Sequence, residues 1–225
     1  MSYLGTNTTG FNIVFNNSAL ESSSCSNTKI LTADGTISFV GPSAFSNSNI
    51  TNFNVKIQGG VQSLGFGYAG YIKGANWYNS NITYISSQSF QYMGYYRLNY
   101  STERDIWDFR NSSFPTIETS AFNHVRYVDI YMPSSVNRIN NSAFAASNNF
   151  NVFFITNTPP TLAYTGSFSS ASNYKIFVPY DYVRVYRTAQ NWTAQANYIY
   201  GFALAGTWSD GDTLPEYNRY GYALT

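Results

Sequence analysis

Ile117-Glu118-Thr119-Ser120-Ala121-Phe122 returns 22 residues later as Ile139-Asn140-Asn141-Ser142-Ala143-Phe144. The shared pattern is an aliphatic residue, three mostly polar residues, a small residue and a phenylalanine. It occurs again at 40–45 (VGPSAF) and 85–90 (ISSQSF), and in a copy one residue longer at 162–168 (LAYTGSF). A short pattern kept through otherwise unlike sequence marks stacked repeats, because a single repeat cannot bury its own apolar face. In such a stack the aliphatic residue and the phenylalanine point inward and form ladders. The small residue (Ala44, Ser89, Ala121, Ala143 or Ser167) lets one turn approach the next.

The spacings agree. Phe144 to Phe168 is 24 residues, and Phe45 to Phe90 is 45, about two repeats, which predicts a degenerate repeat near 61–72. Phe90 to Phe122 is 32 residues, one repeat plus an insertion of about ten. Strand-like runs follow the phenylalanines at 50–57 (ITNFNVKI), 127–132 (YVDIYM), 150–156 (FNVFFIT) and 174–179 (YKIFVP). They are rich in aromatic and β-branched residues and bounded by Asn, Ser, Gly and Pro. Each repeat therefore reads as a strand, a turn and the segment from aliphatic residue to phenylalanine.

These residues resemble the BspA-type leucine-rich repeat. Residues 131–144 (YMPSSVNRINNSAF) fit its pattern of strand, proline, spaced aliphatics and Ala-Phe, and Pro159, Phe168, 175–179 (KIFVP), Val183, Tyr186 and Trp192 fit its closing unit. The resemblance covers roughly 36–200, strongest over 114–192 and weakest over 58–80. The LxxLxLxxN consensus and the family's frequent Cys after the phenylalanine are absent. The resemblance implies a mainly β, leucine-rich-repeat (BspA-like) solenoid with a short C-terminal capping helix, of a kind mostly displayed on bacterial surfaces. The chain then divides into an N-terminal cap or docking segment (1–35), the solenoid (36–200) and a tail (201–225). Within the first, Phe11, Ile13 and Phe15 alternate as in a half-buried strand. Asp181 is placed to cap the helix, Val183 and Tyr186 lie one turn apart, and Trp192 is expected on the last repeat.

Charged residues are 10% of the chain, against about 25% in ordinary soluble domains, and aromatic residues are 19%. Asn, Ser and Thr take the surface positions. A formal charge of +1 supplies no field for a phosphate backbone, so no nucleic acid partner is expected. No run is long and apolar enough for a membrane span, and the single Cys25 makes no internal disulfide. The start MSYLG lacks a basic and an apolar signal region. A surface composition with that start is read as a phage particle component released by lysis, in preference to a mature bacterial fragment with an added Met.

Several motifs suggest chemistry without supporting it. Gly65 to Gly70 match GxGxxG, but no helical period or acidic partner follows; the glycines are read as permitting tight bends. Asp105 and Asp108 could be cast as a glycosidase pair, with nothing else in support. One His (His124, at a turn) and one Cys cannot hold zinc, and Asp210-Gly211-Asp212 is a turn signal. The reading is non-enzymatic, with no cofactor and no metal. The candidate ligand-binding residues lie in the insertion 91–113: Tyr92, Tyr95, Tyr96, Arg97, Tyr100, Trp107 and Arg110. Insertions in repeat stacks gather on one face, and Tyr, Trp and Arg are preferred contact residues; the alternative is a solvated loop with locally paired charges. Removing 97–110 is expected to spare the fold. The expected partners are other virion or surface proteins and bacterial-surface glycan or protein, and a homo-oligomer is compatible with this reading.

Overall fold

A computed structural model describes residues 10–69, 72, 77–93, 104–203 and 223–224. The chain is mainly β and almost every pairing is parallel. Strands β1 (Phe11–Leu20), β2 (Lys29–Val40), β3 (Asn49–Ile57), β4 (Gly60–Val61) and β5 (Tyr84–Ile85) form one sheet, in which β2 bonds β1, β3 and β4, and β4 bonds β5. Strands β6 (Asp105–Asp108), β8 (Arg126–Tyr131), β10 (Asn148–Phe153), β12 (Ser172–Pro179), β13 (Ile199–Ala203) and β14 (Ala223–Leu224) form a second. The two-residue strands β7 (Thr116–Ile117), β9 (Arg138–Ile139) and β11 (Thr161–Leu162) form a third. Among the described strands only β14 runs antiparallel to its neighbour.

The repeated phenylalanines form one buried column. Phe45 stacks on Phe66 at 5.0 Å, Phe66 on Phe90 at 5.5 Å, Phe90 on Phe122 at 5.2 Å, Phe122 on Phe144 at 5.5 Å and Phe144 on Phe168 at 5.0 Å. The repeat expected near 61–72 is therefore present, with Phe66 as its ring, and Ile72 bridges to Ile50. The aliphatic residues Val40, Val61, Ile85, Ile117, Ile139 and Leu162 are buried beside the column.

A regular backbone device holds these turns together. The N–H of each column residue donates to the carbonyl of the small residue in the next repeat: Cys25 to Ala44, Phe45 to Gly65, Phe66 to Ser89, Phe90 to Ala121, Phe122 to Ala143 and Phe144 to Ser167, all at 2.8–2.9 Å. The residue two places later donates likewise, as in Asn27 to Ser46, Tyr92 to Asn123 and His124 to Ala145. Aiming both donors along the stack requires left-handed backbone on either side of the column residue. Ser23, Ser43, Leu64, Gln88, Ser120 and Ser142 take it two places before, at φ 54–64°. Asn27, Asn47, Tyr68, Tyr92, His124, Ala146 and Ser170 take it two places after, at φ 54–61°. The glycines of the GxGxxG match have a different use from the one expected. In that turn the positive φ falls on Leu64 and Tyr68, whereas Gly65 and Gly67 stand where a Cβ would come within 2.9 Å of Val61 and 2.5 Å of Leu64.

The expected boundaries shift. Residue 35 falls inside β2, and Ser24–Cys25 occupy the places that Ala44–Phe45 hold in the following turn, so the repeat pattern reaches back through residues expected as a separate cap. At the other end, β13 runs parallel to β12 through residue 201, so the last boundary falls inside a strand. The insertion is not all loop either: β6 joins the sheet beside β8. Cutting out 97–110 would remove that strand and the buried Trp107 with it, so the deletion is expected to disturb the fold.

The closing unit is a 3-10 turn, the helix α1 (Val183–Thr188) and a further 3-10 segment, Trp192–Tyr198. The helix starts later than expected. Asp181 lies in the preceding 3-10 turn, and the N-cap is Tyr182, which makes no side-chain capping bond. Packing fixes this end instead. Tyr186 Oη donates to the Thr156 carbonyl at 2.9 Å, and Trp192 Nε1 donates to the Pro160 carbonyl at 2.7 Å. The Trp192 ring meets Phe154 edge-on at 5.8 Å.

Candidate binding surfaces

The structure separates the residues that the insertion had grouped. Tyr92 follows the column ring Phe90 by two places, at one of the left-handed positions. Its half-buried ring stacks between Tyr68, at 4.6 Å, and His124, at 4.2 Å. This second row of rings runs beside the buried column because the same turn position carries an aromatic residue in three consecutive repeats. The row is legible in the sequence as Phe66/Tyr68, Phe90/Tyr92 and Phe122/His124, although the phenylalanine pattern marks only the first member of each pair. Because the rings face one another, they offer edges and polar atoms to a ligand more than open faces. His124 Nδ1 lies in a short contact with Asn123 Oδ1. Partial burial and the nearby Arg126 guanidinium hold its pKa below the usual value.

Trp107 is not a surface anchor. Alternation along β6 sets it opposite Ile130 on the inner face, where it is 3% exposed and packs against Phe90 and Phe122. The same alternation sends Asp105 and Asp108, three residues apart, to opposite faces, so the two carboxylates do not face one another. Asp108 instead receives Arg110 Nε at 2.8 Å and Nη2 at 2.6 Å. The Arg110 guanidinium also lies 5.3 Å from the centre of the Tyr131 ring. Arg110 thus sits past the C-terminal end of β6, beside Tyr131 at the end of β8, whereas Tyr92 stacks on His124, ahead of the first residue of β8. Tyr95, Tyr96, Arg97 and Tyr100 lie outside the described residues, as do Trp208, Asp210, Asp212, Tyr217, Tyr220 and Tyr222 of the tail.

Two features went unread in the sequence. On the outward face of the second sheet, Tyr131 stacks on Phe153 at 4.3 Å and Phe153 on Phe177 at 4.6 Å. These rings are buried and form, with Phe202, a second apolar cluster. The recurrence of an aromatic residue at one register position of successive strands (131, 153, 177) carried that signal. The other feature is a pair of grooves beside the third sheet. One, of about 490 Å³, lies between Ser134–Asn137 and Ile155–Thr161. The other, of about 360 Å³, runs from Arg138 past Pro159 and Thr161 to Gln190 and Trp192. Pro159 and Thr161 line both.

The model of the BspA-type leucine-rich repeat region matches in six copies over residues 16–114 and 71–189. The chain belongs to the BspA-type leucine-rich repeat family. The match begins at residue 16, inside β1, in line with the pairing of β1 on β2. A search of curated proteins returned no match. In this BspA-type chain no described helix is long and apolar enough to cross a membrane, and no group of three potential metal ligands occurs among the described residues. Cys25 takes the column position in the first turn. Burial raises its thiol pKa to about 11, which leaves little thiolate for reaction at neutral pH.

Proposed function

We propose that the repeats form one continuous solenoid and that the chain is a non-enzymatic, surface-displayed recognition or structural module, carried on a phage particle as a fibre, tail or decoration component and binding bacterial-surface glycan or protein. The observation that carries this reading is the exposed surface of a family repeat stack covered by amides and hydroxyls in place of charge. Asn12, Asn16, Asn52 and Asn54 are exposed on the outward face of the first sheet, and Asn137, Asn157, Thr158 and Thr161 line the grooves. Neutral hydrogen-bonding groups suit polyhydroxylated ligands and avoid non-specific attraction to polyanions. Family membership supports a surface or extracellular setting and supports equally the second reading, a bacterial cell-surface adhesin with the same repeats.

Fractionation of a lysate from the native host system tests the first reading. Co-sedimentation of the chain with phage particles is the expected result. Recovery in cell envelopes without particles would transfer the assignment to the adhesin. Purified protein should also bind whole bacterial cells of the host, and failure to bind them would remove the recognition role.

A further inference from the structure

We propose that the paired grooves beside the third sheet bind an acidic saccharide, with Arg138 receiving its carboxylate. This deepens the recognition role above and rests on it. Arg138 is exposed at the start of β9 and is, among the described residues, the sole charged one lining either groove. Its guanidinium is held at one point: Nε donates to Asn140 Oδ1 at 2.8 Å, while Asn140 Nδ2 donates to Glu118 Oε2 at 2.8 Å. This relay crosses from one repeat to the next and fixes the direction of the side chain. It also engages the Glu118 carboxylate through an amide, and Arg138 forms no ion pair with a described residue. The two terminal nitrogens are left for a planar anion, which a guanidinium grips with two parallel bonds.

Other arginines in the described residues are engaged differently. Arg104 bonds Asp129 at 3.4 Å, Arg110 is bound bidentate by Asp108, and Arg187 donates to the Ile199 carbonyl at 2.7 Å. Around Arg138 the walls carry exposed Ser134, Asn137, Asn157, Thr161 and Gln190. Such groups suit sugar hydroxyls, and Pro159 between the grooves provides an apolar ledge for a ring. Hydroxyl and amide walls around a single oriented cation favour a uronic acid over an acidic peptide, whose several carboxylates would find one partner.

The test is titration of the full chain with a tetrasaccharide of alternating hexuronate and N-acetylhexosamine, its carboxyl-reduced counterpart and an oligoglutamate peptide, beside binding to host bacterial cells. The expected result is binding of the uronate form alone, weakened about tenfold to a hundredfold by Arg138→Ala and less by Arg138→Lys. Asn140→Ala, which frees the guanidinium without removing it, should weaken binding by a smaller factor. Equal affinity for the carboxyl-reduced form, preference for the peptide, or an unchanged affinity in a folded Arg138→Ala protein would each overturn the assignment. Binding to cells without binding to the uronate would sink this site and leave the recognition role standing; loss of both would sink both.

Discussion

The outward faces of the first and second sheets rest on the same parallel pairing and differ in chemistry along one row. In the first, register sets Asn12 beside Thr32 and Asn52, Val14 beside Asp34 and Asn54, and Asn16 beside Thr36 and Lys56. These side chains are half-buried or exposed, Val14 at 64%. In the second, the corresponding row runs Asp108, Tyr131, Phe153, Phe177 and Tyr200, and its three central rings are buried. The inward face is alike in both, with Phe53 and Val55 in one and Val128 and Ile130 in the other. The repeat thus fixes every second residue of a strand and leaves the alternate ones free, so one sheet presents a polar surface while the other builds a second apolar cluster.

The strongest test of the shared half is the phenylalanine column. Phe144→Ala removes a ring stacked on Phe122, Phe150 and Phe168 and should cost about 3–5 kcal/mol in denaturant unfolding. Cys25→Ala, at the equivalent place in the first turn, removes a single sulfur atom and should cost about 1 kcal/mol. Equal losses would break the comparison between the two ends of the column. The unshared half is tested next. Phe153→Ala opens the outward cluster and should cost about 3 kcal/mol. Asn54→Ala removes an exposed bond to Asp34 of 2.9 Å and should stay within about 0.5 kcal/mol. If Phe153→Ala proves as mild, the outward rings are surface ornament and the contrast between the faces fails.

Most of the inward half was legible because burial repeats a constraint. Every column residue faces the same neighbours, so Phe45, Phe90, Phe122, Phe144 and Phe168 recur at spacings close to one or two repeats, except for the insertion between Phe90 and Phe122. The repeat that holds Phe66 was expected near 61–72 from spacing alone, and the structure supplies the ring. Cys25 was not found, because its sulfur replaces the ring that marks the position. The candidate site was less legible. Trp107 looked like a contact residue within an insertion rich in tyrosine and charge, yet a single alternation of β6 turns it inward opposite Ile130. Arg110 looked available until its carboxylate partner proved to be Asp108, two residues away. The Arg138 relay depends on Glu118 and Asn140 in adjacent repeats, a pairing fixed by stacking register and hidden in a linear reading. The αL positions lie between these cases. Asn27 and Asn47 are residues that accept positive φ readily, whereas Gln88 is not. Gln88→Gly should therefore raise stability by about 0.5 kcal/mol, while Asn47→Gly should change it by less; a destabilised Gln88→Gly protein would mean that the side chain holds the turn by contacts of its own.

The smallest effect concerns the third member of the outer ring row. His124 occupies the position held by Asn27 and Asn47 in the first two turns, and it is the only histidine in the chain. Burial, then the Arg126 charge, lower its folded pKa below the usual 6.5. The unfolded chain therefore takes up the proton at a higher pH than the folded one. Stability from this group is complete above about pH 6.5 and falls as the pH drops through that value towards the folded pKa. Carboxylates titrate lower, at about pH 4 in the unfolded chain, so unfolding curves between about pH 7 and 5.5 isolate the histidine. The wild-type chain should lose stability slightly across that window, and His124→Asn, which keeps a residue suited to left-handed backbone, should be flat. A flat wild-type curve would mean that a gain in the stack on Tyr92 cancels the opposition of burial and Arg126; one that rises as the pH falls would mean that the gain exceeds it, and the outer row would then favour a cation.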